Sequence, residues 1–345
     1  MRIILPAHLF NTPNTKLELI SLIQLGIDGR HLIQTDPVNA VEIEEWLAKL
    51  AELDIQACEA CELALNSGFI LDREEQDNGL SPLTIRITTP DNQPNWENQT
   101  PILPLNQATR QFLMQPLTLF LENRRNDSAF LKAVATGVRK TELNRLLQNN
   151  WIKFETGGGI TEILEWVKEI STQPEHYWRS FALFDSDALK PGKPSQDSDA
   201  LVQACDNRVF YHQLKRRAIE NYLPLAALSV WMGMNVHKKV NGFSRQKLVN
   251  AFAKLNPEQR HHYNMKNGFK GDFKDEQDEL KKVGDFYHDL DVQFKKTLAC
   301  GFNSRNENIA ELFKEQDFKI QEQWLLQDGQ QSEIAPMLDH IFSLV

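Results

Sequence analysis

The sequence predicts an α/β protein: a parallel sheet flanked by helices, preceded by a mixed α/β N-terminal domain and followed by a mainly helical C-terminal part. Three observations carry this. Short, nearly unbroken apolar runs, PLTLFLEN (116–123) and SFALFDSDA (180–188), are what strands buried on both faces look like. Segments of helical period lie between such runs, and β-α-β-α-β alternation implies right-handed parallel crossovers. Before them, Pro82, Pro90, Pro94, Pro101 and Pro104 interrupt the chain too often for a helix.

The elements follow in order. MRIILPAHLF reads as a first strand, lacking the basic flank and cleavage pattern of a secretion signal. The spacing of Ile43, Trp46, Leu47, Leu50 and Leu53 predicts an amphipathic helix from Val41 to Leu65. It carries Cys58 and Cys61, a lone CxxC for which buried thiols are favoured over zinc. Residues 81–104 read as a linker or long surface loop. That divides the chain into an acidic domain over 1–100, an α/β core over 101–225 and a helical region over 226–345.

Within the core, DSAFLKAVATGV (127–138) is a helix capped by Asp127 or Ser128. WIKFETGGGI (151–160) is a strand running into the Gly157-Gly158-Gly159 turn, and TEILEWVKEIS (161–171) is a helix. RVFYHQLKRRAIENYLP (208–224) is a short strand followed by a basic and acidic turn. Beyond it Trp231, Phe252, Phe286, Phe294, Phe313 and Trp324 are candidate core anchors. No internal repeat is visible. No apolar stretch approaches the length of a membrane span, so the chain is expected in the cytoplasm, without a membrane partner.

Composition bounds the function. The 345 residues carry a net charge of −9, and 41% are hydrophobic, which excludes a disordered chain and a wholly basic nucleic-acid binder. The charge is uneven. Residues 1–116 hold 7 basic and 16 acidic residues, while 207–270 hold 12 basic residues against only Glu220 and Glu258. A local basic face beside an acidic N-terminal domain is the expectation, the acidic part binding a partner or shielding that face.

In a parallel sheet, chemistry gathers beyond the carboxyl ends of the strands. Glu122 ends one strand, and Asp185-Ser-Asp187 ends another with a period of two that aims both carboxylates to one side. Converging carboxylates repel unless a cation neutralises them, and oxygen ligands favour Mg²⁺ or Mn²⁺. Glu220 is a fourth candidate ligand. Lys215, Arg216 and Arg217 just before it, with Arg124 and Arg125 after Glu122, are candidate phosphate contacts.

Glu122 after a buried strand, a glycine triplet, Asp185-x-Asp187 after a later strand, and LKRRAIENYL (214–223) together resemble the TOPRIM fold, and among its members the OLD-like phage-defence nucleases. The likeness covers residues 116–225, about a third of the chain. It departs from the family pattern at Asn123, where a glycine is usual, and at Asp127, which lies one residue too far from Glu122. The resemblance implies a TOPRIM-like parallel sheet and metal-dependent hydrolysis of DNA or RNA phosphodiesters. Mg or Mn would be held by Glu122, Asp185, Asp187 and Glu220, with an anti-phage role beside an ATPase partner. It also implies a catalytic lysine downstream, for which Lys266 in HHYNMKNGF (261–269) is the candidate. His261 and His262 are weaker candidates for phosphate contact or general base. Two rival readings stand: a GT-A-type glycosyltransferase using the DxD, and a degenerate TOPRIM interaction module without catalysis.

Overall fold

The computed structural model describes the chain apart from residues 38–39, 78–82, 98–99, 206–207, 235–236, 273–283, 306 and 315–318, and the side chains of 67–77 and 284–285. It divides into two compact units, one of Met1–Leu117, Leu146–Ile152 and Asp339–Val345, the other of Thr118–Arg145 and Lys153–Leu338.

The first unit is built on β1 (Arg2–Pro6), β2 (Leu32–Asp36), β3 (Thr84–Thr88) and β4 (Ile102–Pro104), in the order β2-β1-β3-β4. All three pairings are parallel. Every second residue is fully buried, Ile3 and Leu5 in β1 and Ile85 and Ile87 in β3, as a pleat with one dry face requires. α1 (Lys16–Ile27) joins β1 to β2; α2 (Val41–Ala51) and α3 (Ile55–Asp77) join β2 to β3; α4 (Gln107–Met114) follows β4.

Three sequence expectations are corrected here. Residues 81–104 are not a linker: the described part supplies two strands of the sheet, and the prolines gather in the excursion between them, which folds back through a bridge from Asn95 to Ile102. The division between the units falls at Leu117, not near residue 100. The helix expected from Val41 to Leu65 is two helices, because Asp54 turns its carboxylate back to accept the Ala57 N–H at 3.0 Å and starts a new one. Cys58 and Cys61 lie buried as free thiols.

The second unit holds β5 (Leu117–Leu121), β6 (Ile152–Thr156), β7 (Ser180–Phe184) and β8 (Phe210–Gln213), in the order β6-β5-β7-β8. β5 pairs with β7 and β7 with β8 in parallel. β6 runs with β5, since Leu117 N–H meets Trp151 O at 2.8 Å and Gly157 N–H meets Leu121 O at 2.6 Å. Both units therefore use one strand order, second-first-third-fourth, a repeat of topology that the sequence does not display.

α5 (Arg124–Val134) and α6 (Gly137–Gln148) lead from β5 to β6, α7 (Ile160–Ile170) and α8 (Pro174–Tyr177) from β6 to β7, and α9 (Gln196–Cys205) from β7 to β8. The apolar faces of α7 and α9 pack Ile163, Val167, Leu201 and Cys205 on Ala182 and Phe184. α5 starts three residues before the expected cap. Asn123 is the cap: its side chain accepts the Asn126 N–H at 3.1 Å, and Asp127 answers by accepting the Asn123 N–H at 2.9 Å.

The region after 225 is not a separate helical domain; through Leu338 it belongs to the second unit. It contains α10 (Leu225–Met234), α11 (Arg245–Phe252), α12 (Pro257–His262), α13 (Gly268–Asp272) and a small antiparallel pair, β9 (Lys239–Val240) with β10 (Phe243–Ser244). Of the expected anchors, Trp231, Phe252 and Phe313 are buried, whereas Phe286, Phe294 and Trp324 are half-buried. Tyr263 and Phe302 are the fully buried centre instead. No helix among the described residues is long and apolar enough to cross a membrane.

Phe181, fully buried in the central strand β7, is the test of this core. Phe181→Ala is expected to lower unfolding free energy by about 3–5 kcal/mol, read from the shift in the urea midpoint; a loss under about 1 kcal/mol would contradict the sheet's placement.

Candidate functional site

The crossovers leave β5 and β7 in opposite directions, so these neighbouring strands flank the crevice at the sheet's topological switch point. Glu122 is the first residue past β5 and Asp185 the first past β7. Glu122 Oε1 accepts the Asp185 N–H at 2.6 Å, tying the two strand ends together. Asp127, one helical turn into α5, is buried beside them and lines the same cleft.

Glu220 arrives from a different direction, on the 3₁₀ turn Ile219–Tyr222. Three contacts fix that turn. Asp185 Oδ1 accepts the Ile219 N–H at 3.0 Å, Asn221 donates to the carbonyls of Arg260 at 2.8 Å and Tyr263 at 2.9 Å, and Tyr222 OH donates to Glu333 at 2.7 Å. Lys266, between α12 and α13, sets its Nζ 3.4 Å from Glu220 Oε2 and 3.6 Å from Asp185 Oδ2. Glu220 is 1% exposed, and its Oε2 has the Lys266 ion pair but no hydrogen bond. Together these residues line a cleft of about 920 Å³, rimmed by Arg124, Arg125, Gly158 and Gly159.

The electrostatics follow from burial. Burial is the main cause raising Glu122 to about 7, with Asp187 and Asp127 adding to it and the Asp185 N–H opposing. Burial, reinforced by Glu220, raises Asp127 to about 6 against the pull of the Asn123 N–H. Asp185 is pushed well above the usual carboxylate range, burial again outweighing the attraction of Lys266. Burial works against the charge on Lys266, but the surrounding carboxylates, Asp185 and Glu220 first, overcome it and hold the ammonium protonated.

The structure thus brings Glu122, Asp185, Glu220 and Lys266 together, and adds Asp127. Asp187 differs from Asp185 in exposure. β7 ends at Phe184, so the period of two no longer governs Asp185-Ser-Asp187, and Asp187 adopts a left-handed conformation at φ +48°. It is exposed, and it shares a small cavity with Glu220 and Lys266 rather than lining the main cleft. Among the described residues no three His, Cys, Asp or Glu side chains are placed to hold a metal ion as they stand.

The expected basic face is corrected as well. Arg216 is buried and bonded to Asp328 Oδ2 at 2.5 Å and to the Asn221 carbonyl at 2.8 Å. Arg217 forks onto both oxygens of Asp272 at 2.9 and 2.6 Å. Arg245 and Lys238 share Glu307. Acids from later in the chain therefore neutralise much of the basic stretch. Lys215 is exposed, its backbone N–H held by Glu333 at 2.8 Å. Arg124 is exposed at the cleft, and Arg125 reaches Glu311 at 3.4 Å.

Gly157 passes so close to the following helix that a Cβ there would meet Ile163 Cγ1 at 2.0 Å; Gly158 and Gly159 have φ of +72° and +103°. Burial depresses both histidines, His261 to about 4, and His262 hydrogen-bonds the Ala188 carbonyl at 3.1 Å. Burial therefore works against the charged, phosphate-binding form of both rings.

Asp127 is the site residue that the family pattern sets aside. Helix periodicity from Asn123 is the signal that could have found it: it puts Asp127 one turn back over the strand end.

The raised carboxyls carry a stability signature. Glu122 and Asp127 keep their protons in the folded chain at pH values where the unfolded chain has lost them, so their contribution is greatest in acid and is lost as pH rises from about 4 to about 7. In chelator, Glu122→Gln with Asp127→Asn is expected to gain stability over wild type progressively across that window, read as urea midpoints; a gap independent of pH would contradict the burial. No family model, curated protein or solved structure matches the chain.

Proposed function

We propose that the chain is a TOPRIM-like, metal-dependent nuclease that hydrolyses phosphodiester bonds of DNA or RNA. One observation carries the reading: Glu122, Asp127, Asp185 and Glu220 meet in one cleft at the switch point of a parallel sheet, with Lys266 the one ammonium among the residues lining it. Their order along the chain follows the resemblance to OLD-like nucleases.

By donor type, though not by its present spacing, the set suits a hard divalent cation. It offers only carboxylate oxygens, and Glu220 Oε2 is buried without a hydrogen bond. Glu122, Asp185 and Glu220 would hold Mg²⁺ or Mn²⁺, with Asp187 at the margin. When bound, the ion supplies Lewis acidity for an attacking water and for the leaving oxygen. Burial raises the Glu122 carboxyl to about 7 in the empty cleft, so Glu122 must give up a proton near neutrality to act as a ligand. Lys266 carries a fixed positive charge toward a phosphoryl oxygen. Gly158 and Gly159, at the start of α7, leave room for a backbone to approach.

A second reading, a TOPRIM-like module without catalysis, is favoured by Lys266, which already compensates Asp185 and Glu220. The glycosyltransferase reading needs both aspartates on one diphosphate, whereas Asp185 is buried with Oδ1 taken by the Ile219 N–H and Asp187 is exposed.

Cleavage of labelled single- and double-stranded DNA and RNA in Mg²⁺ or Mn²⁺ decides between them. Wild type is expected to cut, and Glu122→Ala or Asp185→Ala to lose roughly a thousandfold or more in rate, equivalent to several kcal/mol of transition-state stabilisation. Binding without cleavage under every metal condition would favour the non-catalytic module.

A further inference from the structure

With Arg216 and Arg217 engaged internally, the flanking phosphates of a strand need other partners. Beside the carboxylate cleft lies a second cavity of about 680 Å³, lined among others by Asp187, Lys190, Lys193, Asp197 and Arg217. A smaller cavity of about 120 Å³ lies next to both. It shares Glu220 and Lys266 with the cleft and Asp187 and Arg217 with the second cavity, so three neighbouring cavities with common walls make up a segmented groove.

The groove is layered by charge. Its deepest acids, Glu220, Asp127, Asp185 and Asp272, are buried, and Asp272 is consumed by Arg217. Lys266 and Arg217 are spent on these inner acids, while the remaining cations lie toward the rim: Arg124, Arg125 and Lys193 are exposed and Lys190 half-buried. Two exposed acids, Asp187 and Asp197, share the far cavity with the two lysines. Among the described residues neither lysine has an ionic partner. Their loop is nonetheless well defined. Lys193 N–H returns to the Lys190 carbonyl at 3.2 Å around Gly192, Ser195 N–H reaches the Ser186 carbonyl at 2.9 Å, and Ser195 Oγ accepts the Ser198 N–H at 3.2 Å. Two long cations held unpaired at the lip of a groove with an acidic floor suit a polyanion that crosses above the floor, its charges meeting the rim.

We propose that Lys190 and Lys193 bind phosphates of a single nucleic-acid strand flanking the scissile bond, so that the strand runs from the Arg124 rim across Lys266 to the loop 187–195. This rests on the nuclease reading and adds a phosphate subsite to it. The role expected of residues 215–217 moves to the loop before α9.

The test is binding of a fluorescent single-stranded oligonucleotide, DNA and RNA in parallel, to the full chain in chelator over a range of salt. Lys190→Ala with Lys193→Ala is expected to flatten the slope of log affinity against log salt by about 1.4, roughly 0.7 for each phosphate of a single strand that a lysine no longer neutralises. The control Lys254→Ala, exposed and outside all three cavities, is expected to leave the slope unchanged. An unchanged slope in the double variant, an equal fall in the control, or wild-type binding insensitive to salt would overturn the proposal. Cleavage with an unchanged slope refutes the subsite alone; a flattened slope without cleavage refutes the hydrolase reading and leaves the strand path standing.

Discussion

One ammonium, Lys266 Nζ, stands within 3.4 Å of Glu220 and 3.6 Å of Asp185, with Glu122 and Asp127 lining the same cleft. The rest of the second unit is organised around that imbalance. Each buried carboxylate costs several kcal/mol unless it is paired or protonated, so the fold holds the group together against its own repulsion. The Glu122–Asp185 N–H bond, the Asp185–Ile219 N–H bond and the Asn221 clamps are how it does so. Such cost is tolerated where strain or charge serves chemistry.

The supporting layer is electrostatic too. Glu333 receives Tyr222 OH, His212 Nε2 and the Lys215 N–H. Arg216, stacked over the Tyr222 ring, is fixed by Asp328. The basic run before Glu220 is therefore a brace for the turn that delivers it. Lys215 in that run keeps an exposed side chain, and further exposed or half-buried cations stand at Arg124 and in the loop carrying Lys190 and Lys193.

Much of the second sheet was legible. Its strands are short apolar runs, and the crossover helices announce themselves by period. Strand order was not, because identical alternation serves several topologies; the shared order of the two sheets appears only in the pairing. The N-terminal sheet was obscured by its prolines, which suggested a linker although TIRIT (84–88) alternates as a half-buried strand. The site was partly legible: Glu122, Asp185, Glu220 and Lys266 converge, while the end of β7 at Phe184 leaves Asp187 exposed at a neighbouring cavity. Charge counted along the sequence misled in part at 207–270, since Asp272, Glu307 and Asp328, which pair with Arg217, Arg245, Lys238 and Arg216, lie beyond that window.

The central claim is that the cleft's carboxylates are poised to exchange protons and the Lys266 pairing for a divalent cation. Mn²⁺ binding measured by isothermal calorimetry in buffers of different ionisation enthalpy tests it directly, without reference to any substrate. One class of site that releases protons near pH 6, as Glu122 and Asp127 ionise, and that is lost in Asp185→Asn is the predicted result. Absence of Mn²⁺ binding, or binding unaffected by that substitution and without proton release, would contradict the account.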